Sequence, residues 1–336
     1  TFSKRILRLL EDGEAEVYVR STSPKSAFLQ RLLKLTSIAC GLFFRISPTF
    51  FYWQILLRTR GISFRDFDLI AVDHVELFPF RTHVKKILIS HNIEADMLKM
   101  KLKKFPIFLN IVIARTAEFE IAAWTQSLSV ITLSARDRQK IENVGASAIF
   151  VPPVPFETAE RITMRRRNQT YHCRLGFIGS IAWEPNRRAL AYILANVCPQ
   201  LDIPYELVVA GAGNSSFLAR HRGNLNIRTL GRIAYVDEFW RNVDCLIFPA
   251  ANGEGASVKV WEAIKFGCPV IATAAAVRGI PVSLLDHRLI CSDASEIVST
   301  VSSWWRKPFE TEVSVPETLQ EYHIKARIDE LTHQAS

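Results

Sequence analysis

Cysteine is sparse and unpaired in this sequence. Cys40, Cys173, Cys198, Cys245, Cys268 and Cys291 are scattered, with no C-x-x-C pair and no histidine at ligand spacing. They indicate neither a zinc site nor a disulfide framework, and they fit a reducing, cytoplasmic compartment. Glycine and proline are also few, 14 and 15 in 336 residues, beside 49% hydrophobic residues. That balance excludes a disordered chain and suffices for two domains. Long apolar runs are missing too. The longest, Leu32 to Leu57, is interrupted by Lys34, Arg45 and Pro48, short of the roughly 20 residues a bilayer-spanning helix needs. It reads as a buried helix pair or, alternatively, as an interfacial helix on a membrane. No signal peptide is recognised ahead of it and no solenoid-length repeat is visible.

What the sequence does have is positive charge on one side. Residues 1–150 carry 22 Lys+Arg against 14 Asp+Glu, or +8 of the formal +9. Such an excess suits phosphate-bearing substrates, anionic lipid or nucleic acid. No basic run interleaved with aromatics resembles an RNA-binding motif, so nucleic acid is not expected as a partner.

The chain starts at Thr1 with a basic helix, Lys4 to Glu11, and a strand, Glu16 to Arg20, where an α/β domain would begin with a strand. A truncated first domain is therefore expected. Apolar runs that end in polar residues then follow: Asp68 to His74, Lys86 to Asn92 and Leu128 to Ser134. These read as buried parallel strands, with helices around Arg115 to Trp124 and Ala135 to Asn143 between and after them. The prolines at 152, 153 and 155 and Arg165-Arg166-Arg167 mark a linker. A second series comprises strands at Arg174 to Ile178, Glu206 to Ala210, near Ile227, Cys245 to Phe248 and Pro269 to Thr273. Its helices are Arg187 to Asn196, Val236 to Arg241 and Ser257 to Phe266. This alternation predicts an α/β chain of two facing, doubly wound Rossmann-like domains. The expected divisions are 1–150, a linker over 151–172, a second domain over 173–310 and a terminal segment over 311–336.

Ligands of an open parallel sheet sit beyond the C-terminal strand ends. After the strand Cys245 to Phe248 comes Gly253-Glu254-Gly255-Ala256-Ser257-Val258-Lys259, then Glu262. The glycines permit close backbone approach. Free amides at the helix start, the helix dipole and Lys259 favour a phosphate there, with Ser257 as N-cap. The spacing puts Glu254 in the loop and Glu262 inside the helix, so that one can reach a sugar and the other a ribose.

Glu254, seven residues, Glu262 and then Ala-Ile-Lys-Phe-Gly-Cys-Pro-Val-Ile-Ala-Thr resembles the donor-site signature of retaining GT-B glycosyltransferases of family four. The similarity extends over roughly residues 173 to 282. It includes Gly176 to Ser180, Trp183-Glu184-Pro185-Asn186, Glu206 to Gly213, Leu230-Gly231-Arg232 and Asp244 to Pro249. His91-Asn92-Ile93-Glu94 and Ser134-Ala135-Arg136-Asp137 match the acceptor domain more loosely. The resemblance implies retaining transfer of a sugar from a nucleotide-diphosphate sugar to a glycan or lipid-linked acceptor, in bacterial exopolysaccharide, lipopolysaccharide or other glycan synthesis. Glu254 and His91 would be catalytic. Glu262, Gly179, Ser180, Asn186, Arg232, Gly253, Gly255, Ala256, Ser257, Val258 and Lys259 would hold the donor. It also implies a C-terminal helix over Glu317 to Leu331 returning toward the first domain, and an enzyme on the inner face of the cytoplasmic membrane.

This sequence departs from the family at two places. Ser180 and Asn186 stand where members carry an Arg and a Lys aimed at the diphosphate, so Arg187, Arg188, Arg232 or Lys259 is expected to supply the charge. No Asp-x-Asp metal motif is recognised in the sequence. No metal or other cofactor is therefore expected, the diphosphate being neutralised by side chains and a helix N-terminus. A non-catalytic nucleotide-sugar-binding protein is the alternative. Gly211-Ala212-Gly213 lacks the third glycine and the acidic residue of a dinucleotide fingerprint, which argues against a dehydrogenase. Trp261 and Trp183 read as packing residues, and His74 as a weaker substrate-contact candidate than His91.

Overall fold

The computed structural model describes residues 67–79, 82–101, 108–154, 172–219, 226–251, 257–286, 289–307 and 321–333. The helix Lys4 to Glu11, the strand Glu16 to Arg20, the stretch Leu32 to Leu57 and the arginine-rich linker lie outside the described residues. So do Gly253, Glu254, Gly255 and Ala256. The chain divides into two compact units, Thr1–Val151 with Glu321–Ser336, and Pro152–Gln320.

In the first unit four parallel strands lie in the order β1 (Leu69–Asp73), β2 (Lys85–Ser90), β3 (Ser129–Thr132), β4 (Ala148–Phe150). Their connections carry α1 (Glu94–Lys101), α2 (Phe108–Thr125) and α3 (Ala135–Glu142). Side chains alternate across a strand, and both faces are apolar here. Val72, Leu88 and Val130 pack with Val75, Phe78, Trp124 and Ile141 on one face. Ile87, Ile89 and Ile131 pack on the other with Val151 and with Ile324, Ile328 and Leu331 of α9 (Glu321–His333). The 324, 328, 331 spacing is one helical stripe. Two buried polar groups fix the helices. Ser134 caps α3 by accepting from the Asp137 N–H, and Glu120 on α2 accepts the Glu94 and Ala95 N–H groups at 2.7 and 2.9 Å, closing the start of α1.

The second unit is a six-stranded parallel sheet in the order β10-β9-β8-β5-β6-β7. The strands are β5 (Cys173–Ile178), β6 (Tyr205–Ala210), β7 (Ile227–Gly231), β8 (Cys245–Phe248), β9 (Val270–Thr273) and β10 (Ile290–Cys291). Its helices are α4 (Glu184–Tyr192), α5 (Asn214–Ala219), α6 (Val236–Trp240), α7 (Val258–Lys265) and α8 (Ala294–Arg306). The chain winds outward from β5 to β7, crosses to β8, and winds outward again to β10. The direction reverses between β5 and β8, which opens a crevice at their C-terminal ends. At the opposite ends Arg174 Nη2 donates to Asp244 Oδ1 at 2.6 Å and pins the two central strands. Gly176 admits α6 against β5, since a Cβ there would lie 2.9 Å from Phe239 Cζ.

Most differences from the sequence reading concern boundaries. The helix read from Arg187 begins at Glu184, because Pro185 in the first turn needs no N–H partner, and Ile193–Val197 widens into a π turn. Strands β4 and β10 were not anticipated; at three and two residues they are too short to show a period.

Candidate functional site

The β5–β8 crevice assembles from the residue upward. β5 ends at Ile178, and Gly179 turns the chain with φ 156°. A Cβ on Gly179 would lie 2.6 Å from Asn186 Nδ2, so the loop closes only because this residue has no side chain. Asn186, in the first turns of α4, donates from Nδ2 to the Ser180 carbonyl at 3.0 Å. Its Oδ1 accepts from Lys259 Nζ at 2.5 Å. Lys259, second residue of α7, thereby reaches across the crevice from the β8 side to the β5 loop. Its ammonium sits 4.0 Å from the Phe248 ring centroid and 5.5 Å from that of Phe177. Three backbone bonds hold the neighbouring strand ends together: Gly179 to Ala210, Ile181 to Ala212 and Gly211 to Gly231.

Electrostatics mark the same place. Burial pushes the Lys259 ammonium down to about 8, with Glu262 opposing the shift. Burial likewise pushes the Glu262 carboxyl up to about 7 against the pull of Lys259 and Lys265. Both groups therefore change charge near neutrality, where small changes in surroundings switch them. Ser257 holds the cap position of α7, but its hydroxyl makes no capping bond; the expected side-chain cap is absent. Its carbonyl instead accepts from the Val260 and Trp261 N–H groups. The amides of Val258 and Lys259 precede the first intrahelical bonds and carry the positive end of the helix dipole.

The structure brings Gly179, Ser180, Asn186, Ser257, Val258 and Lys259 to this crevice, with Glu262 one turn along α7. Arg232 follows β7 and is exposed. Arg187 and Arg188 are exposed and both engage Glu184, so they are committed to the surface of α4. Lys259 is the expected cation that meets the β5 loop. Trp183 corrects the packing assignment: it is 57% exposed beside that loop, whereas Trp261 is fully buried. One Asp-x-Asp triplet does occur in the chain, Asp66-Phe67-Asp68, contrary to the sequence reading, and its Asp66 lies outside the described residues.

In the first unit His91 follows β2 and its Nε2 lies 2.7 Å from Asp73 Oδ1 at the end of β1. His74 stacks on His91. Asp73 as the partner of His91 was missed in the sequence. The available signal was two adjacent strand ends, each closing on a titratable residue. Glu120, which holds the turn between His91 and α1 in place, leaves no signal, being one acidic residue on a long helix.

Residues 172–306 match the family profile described as Glycosyl transferases group 1. Among curated proteins none matches the chain by sequence. Among solved structures the chain is similar to the sucrose-phosphate synthase of Thermosynechococcus elongatus, with 13% identity over 85% of this chain and 78% of that one and a TM-score of 0.64. It is similar to Anabaena HepE in complex with UDP, with 12% identity over 84% and 82% and a TM-score of 0.57. A third is the lipopolysaccharide outer core galactosyltransferase WaaB, with 13% identity over 88% and 81% and a TM-score of 0.52. At such identities the likeness is one of fold, and the fold is GT-B. Among the described residues no helix is long and apolar enough to cross a membrane. Residues 172–306 are thus similar to the family described as Glycosyl transferases group 1, and the fold of the chain is that of the solved glycosyltransferases it resembles.

Proposed function

We propose that the chain moves a sugar from a nucleotide-diphosphate sugar to a glycan or lipid-linked acceptor with retention at the anomeric carbon. The observation that carries this reading is Lys259, a largely buried ammonium held by the neutral Asn186 carbonyl oxygen at the start of α7. A departing diphosphate needs a cation and aligned amides, and that end of α7 offers both. Lys259 takes over the charge that Ser180 and Asn186 do not provide, so no metal is needed at the diphosphate. Glu262 receives the ribose hydroxyls and Arg232 stands at the rim. Glu254 is assigned to the transferred sugar and Gly253, Gly255 and Ala256 to the donor by their place in the sequence motif, and His91 positions the reacting groups.

The acceptor side belongs to the first unit, whose basic character suits a phosphate-bearing or lipid-linked acceptor at an anionic membrane. Synthesis of a bacterial surface glycan is the setting proposed, in keeping with the description of WaaB.

Turnover of a panel of nucleotide-diphosphate sugars, with and without lipid extract, tests the reading beside Glu254→Gln and Glu262→Gln. Nucleotide release with one donor, reduced on the order of a hundredfold or more in Glu254→Gln, is expected. Donor binding without turnover in any condition favours a non-catalytic binding protein, and no binding at all overturns the proposal. Product anomeric configuration by NMR checks retention.

A further inference from the structure

Three groups with lone pairs meet at the C-terminal edge of the first unit's sheet. Asp73 closes β1, His74 follows it and His91 follows β2, and one ligating atom from each lies within 4.8 Å of the others. The His74 and His91 ring centroids are 4.2 Å apart with the planes inclined by 18°. His74 adopts φ 76° and ψ 134°, and among the described residues it is the one non-glycine with positive φ. Its N–H still donates to the Ile89 carbonyl at 3.1 Å, so the ladder holds the strained backbone in place. Such a conformation costs about 1–3 kcal/mol and persists where the surroundings over-determine it, characteristically at ligand sites.

We propose that Asp73, His74 and His91 form a binding site for one divalent transition-metal ion of the zinc type. Two imidazoles and a carboxylate make a mixed nitrogen and oxygen donor set. That set suits zinc, cobalt or nickel and not magnesium or calcium, which take oxygen ligands. His91 and Asp73 already share one hydrogen bond, and binding replaces that hydrogen with the ion. The rings lie too nearly parallel for both lone pairs to converge as they stand. The exposed His74 turns its ring to complete the set, and its solvent side leaves the remaining coordination position open to water or an anionic oxygen.

The site belongs to the first unit and shares His91 with the proposed transfer reaction, but metal binding is read without donor or turnover, so its failure is distinct from a failure of that reading. The full chain, stripped of metal with a chelator, is titrated with zinc chloride by calorimetry and with cobalt chloride by visible absorption. His74→Asn and His91→Ala run alongside. Asparagine tolerates positive φ, so His74→Asn removes the ligand while keeping the backbone, and circular dichroism checks that both variants fold. One zinc per chain is expected, with affinity reduced on the order of tenfold or more in either variant. Absence of saturable binding overturns the proposal. Binding unchanged in His74→Asn also overturns it, because the ion then sits on a cysteine or on another histidine.

Discussion

At the scale of single residues, the crevice depends on an amide that faces two ways. Asn186 gives its N–H to the Ser180 carbonyl and its oxygen to Lys259, so the β5 loop and α7 are coupled through one side chain. Gly179→Ala adds a Cβ where only 2.6 Å separates it from that amide, at a φ of 156°. Strain of about 1–3 kcal/mol is expected, and UDP affinity, measured by calorimetry, is expected to fall about tenfold as Asn186 is pushed from Lys259. The titration of the pair gives a second prediction. An anion binds the charged ammonium, so affinity falls as the pH rises through about 8, the value to which burial depresses Lys259. In the ribose-binding role proposed for it, Glu262, raised to about 7, accepts hydroxyls best when ionised, so affinity is also expected to fall below about 7. The expected profile of UDP affinity is a bell. Lys259→Arg abolishes its alkaline limb, because a guanidinium stays charged throughout; an unchanged limb means that Lys259 does not meet the phosphates.

At the scale of elements, the start of α1 depends on a carboxyl from α2. Glu120 is fully buried and satisfies two N–H groups that a helix cannot satisfy itself. Glu120→Ala leaves both buried and unpaired, which costs about 2–4 kcal/mol in urea denaturation. Burial raises the Glu120 carboxyl to about 8 against the opposing pull of the same N–H groups. Its proton is therefore held in the folded state and lost in the unfolded state between roughly pH 4.5 and 8. Stability is present below that window and declines as the pH rises through it. Glu120→Gln keeps one acceptor and is expected to flatten the slope, as read from urea midpoints at pH 5 and pH 8.

At the scale of the whole molecule, sequence neighbours are not always structural neighbours. Helix α9 comes last in the chain but packs on the first unit, where Ile324, Ile328 and Leu331 close one face of the four-stranded sheet. Three fully buried aliphatic side chains at about 1.5–3 kcal/mol each represent about 5–9 kcal/mol. Truncation after residue 320 is expected to remove hydrogen-exchange protection from β2 and β3 while β5, β6 and β8 keep theirs. Equal loss in both units would count against their independence.

Much of this was legible in the order of residues. Buried parallel strands read as apolar runs, so β2, β3, β5, β6 and β8 are visible, and β2, β5 and β6 are followed at the ligand edge by a histidine or a glycine. Helix α7 shows itself through the hydrophobic stripe Val260, Trp261, Ile264, and Glu262 is placed on it by spacing alone. What sequence could not decide is contact between distant segments, because it depends on strand order. The winding that puts β8 beside β5 brings Lys259 to Asn186, 73 positions away, and the pairing of β1 with β2 brings Asp73 to His91. Exposure was equally out of reach. Trp183 and Trp261 have the same chemistry, yet one stands in solvent at a loop and the other lies on the buried face of α7. Local pattern determines which elements form and which residues end them. Only the tertiary structure decides which of those ends meet, since parallel strands are joined through crossovers and their partners are chosen by packing.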